Sequence, residues 1–145
     1  MKRKLFLLLF VGFILVSCGQ NAFVDFNLPN WLENKVLITP DKKQEMAFEN
    51  DKITQNIFLP RKIPGYWIEV KTNNDKLFVF QVKEKSEVVY TIKNIGKKNN
   101  KDAIALSVKI NGIDSKFNNF IKFIEENGKK KPVYQEDKTL YLFSK

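Results

Sequence analysis

Tyr66-Trp67-Ile68-Glu69-Val70-Lys71-Thr72, then Asn73-Asn74-Asp75-Lys76, then Leu77-Phe78-Val79-Phe80-Gln81-Val82-Lys83 is the passage that decides the class of this chain. Tyr66, Ile68 and Val70 alternate with Trp67, Glu69 and Lys71, the period of two required when successive side chains point to opposite faces of a strand. Four polar residues then turn the chain into a second apolar run. The passage reads as a β-hairpin.

The same rhythm extends in both directions. Upstream, residues 35–39 and 45–49 are short strand candidates separated by Pro40-Asp41-Lys42-Lys43, and Asn50-Asp51 forms the tip before residues 52–58. Pro60, Pro64 and Gly65 break the pattern just before the central hairpin. Downstream, Val88, Tyr90 and Ile92 face away from Thr91 and Lys93, and residues 96–102, Gly-Lys-Lys-Asn-Asn-Lys-Asp, read as a long polar loop. Ile104, Leu106, Val108 and Ile110 then alternate with Ala103, Ala105, Ser107 and Lys109 up to Asn111-Gly112, which describes a half-buried strand. One helix is predicted over residues 114–127: Asp114 or Ser115 caps it, Phe117, Phe120, Ile121 and Ile124 fall at i, i+3, i+4 and i+7, and Gly128 stops it. Lys129, Lys130 and Lys131 then offset the negative end of the helix dipole. After Pro132-Val133-Tyr134, residues 139–143 close the chain as a last strand. The expected fold is mainly β, a small antiparallel meander with one helix before the final strand.

The first eighteen residues have a different logic. Met1-Lys2-Arg3-Lys4 is cationic, and residues 5–16 are twelve positions without a charge. That is the length of a signal-peptide core and well short of the roughly 20 residues that span a bilayer. Leu15-Val16-Ser17-Cys18 follows, with the only cysteine of the chain. It resembles the lipobox of bacterial lipoproteins, which implies cleavage between Ser17 and Cys18 and lipidation of the Cys18 sulfur. A thiolate is the side chain nucleophilic enough to accept a lipid as a stable thioether. Two or three acyl chains, at roughly 0.8 kcal/mol per buried methylene, make such an anchor effectively permanent. The expected organisation is a signal peptide over residues 1–17, a lipidated cysteine and tether over 18–28, and one domain over 29–145. Residues 27–32 read as a turn with Pro29 near the start of a short helix, and Trp31 and Leu32 are expected to plug the end of that domain.

Composition excludes several chemistries. The chain has 145 residues, 25 basic and 16 acidic, and no histidine. The signal peptide holds three of the basic residues, leaving 22 against 16 and a formal charge of +6 on the remaining 128 residues. That length suits a single domain burying roughly two-thirds of its unfolded surface. Only Arg3 and Arg61 are arginine, so the positive charge is nearly all lysine, which is poorly suited to bidentate recognition of phosphate or base edges. Nucleic acid is therefore not an expected partner. Without histidine, and with the one thiol assigned to lipid, His-dependent triads, Cys–His nucleophiles and His or Cys metal sites are excluded. Asp114-Ser115-Lys116 is the one place where carboxylate, hydroxyl and amine adjoin, and the capping role accounts for it. No catalytic residue, metal site or cofactor is expected.

The Pro-x-Trp-Leu opening at Pro29-Asn30-Trp31-Leu32, the succession of short antiparallel strands, a late helix and a final strand resemble the small lipocalin-like domains of bacterial lipoproteins, including those of spirochaetes. The Gly-x-Trp signature that lipocalins carry at the first strand has no counterpart, since Glu33-Asn34-Lys35-Val36 follows Trp31-Leu32. The resemblance implies a closed lipocalin- or calycin-like barrel with a helix against its side, which also removes exposed strand edges. Tyr66, Trp67, Phe78, Phe80 and Tyr90, on three consecutive strands, are the candidate lining of a pocket for a small apolar ligand. The same residues also serve simply to fill a narrow interior. Lys97, Lys98 and Lys101, with the 129–131 cluster, are candidates for anionic headgroups or for solvated loops. Two functions stay open: binding of a small hydrophobic ligand, or a surface-exposed structural or host-interaction role with a filled core. Both place the chain at the cell envelope, held to a membrane through Cys18, at the outer membrane or cell surface rather than the inner membrane.

Overall fold

The computed structural model describes residues 23–25, 27–71, 76–83 and 87–145, so Ser17 and Cys18 lie outside the described residues. The regular elements are strands: β1 (Phe23–Asp25), β2 (Val36–Ile38), β3 (Glu45–Phe48), β4 (Lys52–Gln55), β5 (Arg61–Lys71), β6 (Lys76–Val82), β7 (Val88–Lys98), β8 (Lys101–Ile110), β9 (Ile113–Asp114), β10 (Phe117–Glu126), β11 (Lys129–Asp137) and β12 (Thr139–Ser144). Going round the main sheet, the antiparallel neighbours are β5, β4, β3, β2, β12, β8, β7 and β6, and β6 pairs back onto β5 to close a ring. β1 adds to β5 and β9 adds to β8. β10 and β11 form a separate two-stranded sheet.

The ring closes through β5, which uses both of its edges. Residues 61–64 pair with β4 and residues 65–71 pair with β6. The strand runs straight through Pro64 and Gly65, where the sequence reading placed a break. Gly65 is required by close approach: a Cβ there would stand 2.4 Å from the Phe80 ring and 2.3 Å from the Gln81 carbonyl oxygen. Phe80, fully buried, can therefore approach the β5 backbone closely at residue 65.

An aromatic chain crosses the interior. Trp67 stands 6.2 Å from Phe48 and 5.0 Å from Phe80, and Phe80 stands 6.2 Å from Tyr90, all between ring centroids in tilted or edge arrangements that aromatic quadrupoles favour. The Trp67 indole N–H donates to the Glu49 carbonyl at 2.8 Å, so its one polar atom is satisfied. Ile53, Ile92, Ile104, Leu106 and Leu142 complete the packing. At one end, Leu28 and Leu32 are buried and Trp31 packs on Phe78 at 6.0 Å, the plug expected of Trp31 and Leu32. β1 lies in the segment read as tether and pairs with residues 68–70 at this same end.

The predicted helix over residues 114–127 is a correction: this segment is β9, a short connection and β10, the short helix expected after Pro29 is a turn over residues 30–34, and no helix occurs among the described residues. Asn127 and Gly128 have φ of 54° and 70°, the two positive values of a type I′ hairpin turn, and Glu126 pairs directly with Lys129 across it. The apparent helical spacing has a structural origin. A bulge between Phe120 and Lys122 inserts Ile121, shifting the alternation so that Phe120 and Phe123 share one face, 4.9 Å apart between ring centroids. Asp114 caps no helix; it accepts from Lys138 Nζ at 2.9 Å. The 129–131 lysines sit across from Ile124, Glu125 and Glu126, so they answer to cross-strand neighbours and not to a helix dipole. The long loop expected over residues 96–102 is likewise corrected: Asn99 and Asn100, at φ 51° and 62°, form a two-residue turn, and β7 and β8 run up to it on both sides.

Candidate functional site

The five aromatic candidates are not brought to one cavity. Trp67, Phe78 and Phe80 are buried and pack the interior. Tyr66 points outward, 41% exposed, with its hydroxyl donating to Gln81 Oε1 at 2.7 Å. Tyr90 borders free space. It lines a recess of about 220 Å³ at the end of the ring opposite Trp31, with Met46, Leu106, Val108 and Leu140 as its apolar wall and Gln44, Gln55 and Asn56 at its rim. Phe117, leading into β10, closes part of that mouth. Burial pushes the Tyr90 hydroxyl above its ordinary pKa, opposed by the positive charge of Arg61 and a hydrogen bond with Gln55.

The second feature is the seam between the ring and the β10–β11 hairpin, a groove of about 290 Å³ lined by the β2–β3 turn on one side and Asn118, Asn119, Phe120 and Tyr134 on the other. Its polar centre is Asp41. One carboxylate oxygen accepts from the Thr39 hydroxyl at 2.6 Å and from the Lys43 backbone N–H at 3.2 Å, and the other accepts from the Tyr134 hydroxyl at 3.1 Å. Lys43 Nζ donates to the Tyr134 hydroxyl at 2.6 Å. Partial burial raises the Asp41 pKa, but the hydrogen bonds from Thr39, Lys43 and Tyr134 outweigh it and hold the carboxyl below its ordinary value. Lys43 is raised in turn, chiefly by its hydrogen bond to Tyr134.

Asn119 makes the other half of the seam. Only residues 143–144 of β12 reach β2, so the backbone of residues 139–141 lies beyond that pairing. The Asn119 side chain stands in for a strand: its amide nitrogen donates to the Thr139 carbonyl at 2.6 Å and its amide oxygen accepts from the Tyr141 N–H at 3.3 Å. Sequence reasoning missed Asp41, Lys43, Asn119 and Tyr134. Asp41 and Lys43 appear there only as turn formers, and their bonds to Tyr134 span 91 to 93 residues, a separation that local periodicity does not encode. The Asn127-Gly128 pair was the available signal that these residues belong to a hairpin.

The third feature is the hairpin surface. Ile121, Phe123 and Ile124 are 51%, 58% and 40% exposed, and Phe58 and Leu59 on the β4–β5 loop and Ile113 on β9 add apolar surface at the same end of the ring as the recess. Lys97, Lys98 and Lys101 are exposed around the β7–β8 turn. Among the described residues no group of three His, Cys, Asp or Glu stands where it could hold a metal ion. Compared with known proteins, the chain matches no family model, no curated protein and no solved structure.

Proposed function

We propose that this chain is a membrane-anchored, non-enzymatic lipoprotein of the cell envelope, whose ring of strands is a small lipocalin-like barrel that acts through its outer surface. The observation that carries the reading is the filled interior beside the exposed apolar hairpin. The aromatic residues that a ligand cavity would use are spent on packing, and the remaining recess of about 220 Å³ is smaller than the roughly 300–1,000 Å³ of typical small-molecule sites. Apolar surface displayed by a hairpin instead fits a protein–protein contact. The carboxylate at the seam, Asp41, is engaged in holding the hairpin, which argues for a structural role over a catalytic one.

The anchor reading rests on Leu15-Val16-Ser17-Cys18 and is consistent with where the domain begins. Five residues from Cys18 to Phe23 span at most about 18 Å, and β1 lies at the plugged end of the ring. A lipid on Cys18 therefore holds the plugged end close to the bilayer and leaves the recess and hairpin at the opposite end. The proposal sets the chain at the outer membrane or cell surface, with that end toward envelope or host proteins.

Palmitate labelling with detergent-phase partitioning tests the anchor: wild type is expected in the detergent phase and labelled, Cys18→Ala unlabelled and unprocessed. Unlabelled wild type wholly in the aqueous phase overturns it. Small-ligand binding retains one specific support, the Tyr90 recess. Native mass spectrometry separates the two functions, since a stoichiometric copurified hydrophobic compound requires the cavity reading and its absence agrees with a filled core.

A further inference from the structure

We propose that the outer edge of β10 pairs antiparallel with the same edge of a second copy, joining two hairpins into a four-stranded sheet. The backbone groups that face outward decide which edge can pair. Across a two-residue turn the flanking residues form a hydrogen-bonded pair, here Glu126 with Lys129, and the ladder then alternates. Residues 122, 124 and 126 thus spend their N–H and C=O groups on β11, and residues 123 and 125 point theirs away from it. On β11 the same alternation turns residue 132 outward, and residue 132 is proline, which has no N–H to offer.

The two edges of the hairpin are therefore unlike. β11 carries Lys129, Lys130 and Lys131 together with Pro132, the devices that protect an edge strand from pairing. β10 from residue 122 to 126 carries no proline and has exposed Phe123 and Ile124, while its contacts with the ring are made by its base, through Phe117 and Asn119.

The side chains select both the occupant and the register. A two-fold axis perpendicular to the sheet at Ile124 sets Ile124 against Ile124 of the other copy and Lys122 against Glu126, twice. Phe123 and Glu125 form the hydrogen-bonded pairs, which is where their outward N–H and C=O groups are needed. Moving the axis to residue 125 opposes two glutamates, and moving it to residue 123 loses both ion pairs. Glu126 already accepts from Lys131 through Oε2, leaving Oε1 for Lys122 of the second copy. The contact is short, so association is expected to be concentration-dependent and favoured by the high local concentration of an anchored protein.

Cysteine cross-linking in the full chain, solubilised in detergent, tests this. In a non-hydrogen-bonded antiparallel pair the Cβ atoms stand about 4.5–5.5 Å apart, close to what a disulfide requires. Ile124→Cys is expected to form a disulfide-linked dimer under mild oxidation, whereas Phe58→Cys, at a more exposed position on the β4–β5 loop, and the unsubstituted chain are not. Lys122→Glu is expected to abolish the cross-link and Lys122→Glu with Glu126→Lys to restore it. Glu125→Pro removes an outward N–H and none of the backbone bonds to β11, and is expected to block dimerisation with an unchanged circular dichroism spectrum. Equal yields from Ile124→Cys and Phe58→Cys, or a cross-link indifferent to the charge reversals, overturn the proposal. So does protection of Ile124→Cys by added lipid vesicles without dimer formation, which assigns the edge to a membrane surface.

Discussion

The ring and the β10–β11 hairpin are both antiparallel sheet made from similar residues, yet their side chains have opposite fates. Phe48, Phe80, Ile53 and Ile92 are fully buried in the ring, whereas Phe123, Ile121 and Ile124 of the hairpin lie at 40% exposure or more. Closure makes the difference. A sheet that returns to its first strand has an inside, so one face of every strand loses its water; a two-stranded ribbon has two outsides and is marginal on its own. The hairpin is tied to the ring by polar contacts, Asn119 on β12 and Tyr134 with Asp41 and Lys43, and by Phe117 packed on the ring's core at its base. The two regions thus differ in what holds them: apolar burial throughout one, hydrogen bonds at a seam and one apolar anchor, Phe117, in the other.

That contrast is broken most severely from the ring side. Phe80→Ala deletes a fully buried ring in contact with Trp67 and Tyr90, and is expected to cost about 3–5 kcal/mol in urea unfolding. Phe123→Ala, the same chemical change on the hairpin, is expected to cost about 0.5 kcal/mol. Comparable losses at the two positions would show that the hairpin is part of the cooperative core. Gly65→Ala comes next: its methyl collides with the Phe80 ring and a backbone oxygen, and overpacking of this kind costs about 1–3 kcal/mol. A neutral result would mean that β5 and β6 can separate without opening the ring.

How far the sequence discloses this arrangement depends on the range of the forces. The central hairpin, residues 88–95, residues 104–110 and the final strand are legible because period-two alternation is local and one face is buried. Trp31 and Leu32 as an end plug are legible for a related reason, large apolar side chains next to a proline turn. Residues 117–124 mislead because one inserted residue, Ile121, turns a strand alternation into i, i+3, i+4, i+7. Asn127-Gly128 carried the correcting information, since asparagine and glycine tolerate the two positive φ values that this turn requires. The aromatic candidates were correctly placed on neighbouring strands, but alternation alone did not reveal which face was inside, and Tyr66 and Trp67 differ by that one step. The seam was illegible altogether, because Asp41 and Tyr134 meet only through the tertiary fold.

The seam itself is probed by Asn119→Ala. The substitution leaves the Thr139 carbonyl and the Tyr141 N–H without their side-chain partner, two bonds at about 0.5–1.5 kcal/mol each. Amide exchange is expected to accelerate across β10 and β11 while the interior strands of the ring keep their protection. If β5 and β8 lose protection to the same extent, the hairpin and ring unfold as one unit and the contrast between them fails.

The smallest effect is the most local. Asp41 has its folded pKa below the ordinary carboxylate value, so the folded seam prefers the ionised form. The sign follows from that: its contribution is fully present above the ordinary carboxylate pKa and is lost as pH falls through the lowered folded value. Protonation weakens the acceptor for Thr39, Lys43 N–H and Tyr134 together, and one of the hairpin's polar ties to the ring loosens. Because the group is largely solvent-screened, the expected change is in hairpin order and not in global stability. Heteronuclear relaxation of β10 and β11 amides is expected to report loosening on acidification of the wild type, with ring amides unchanged. Asp114, which faces Lys138, Lys109 and the end of β11, also has a lowered pKa and titrates in the same direction. Asp41→Asn separates the two, since it removes the Asp41 transition and leaves that of Asp114 in place. A hairpin equally ordered across the acid range, in wild type and Asp41→Asn alike, would assign its attachment to Asn119 and apolar contact alone.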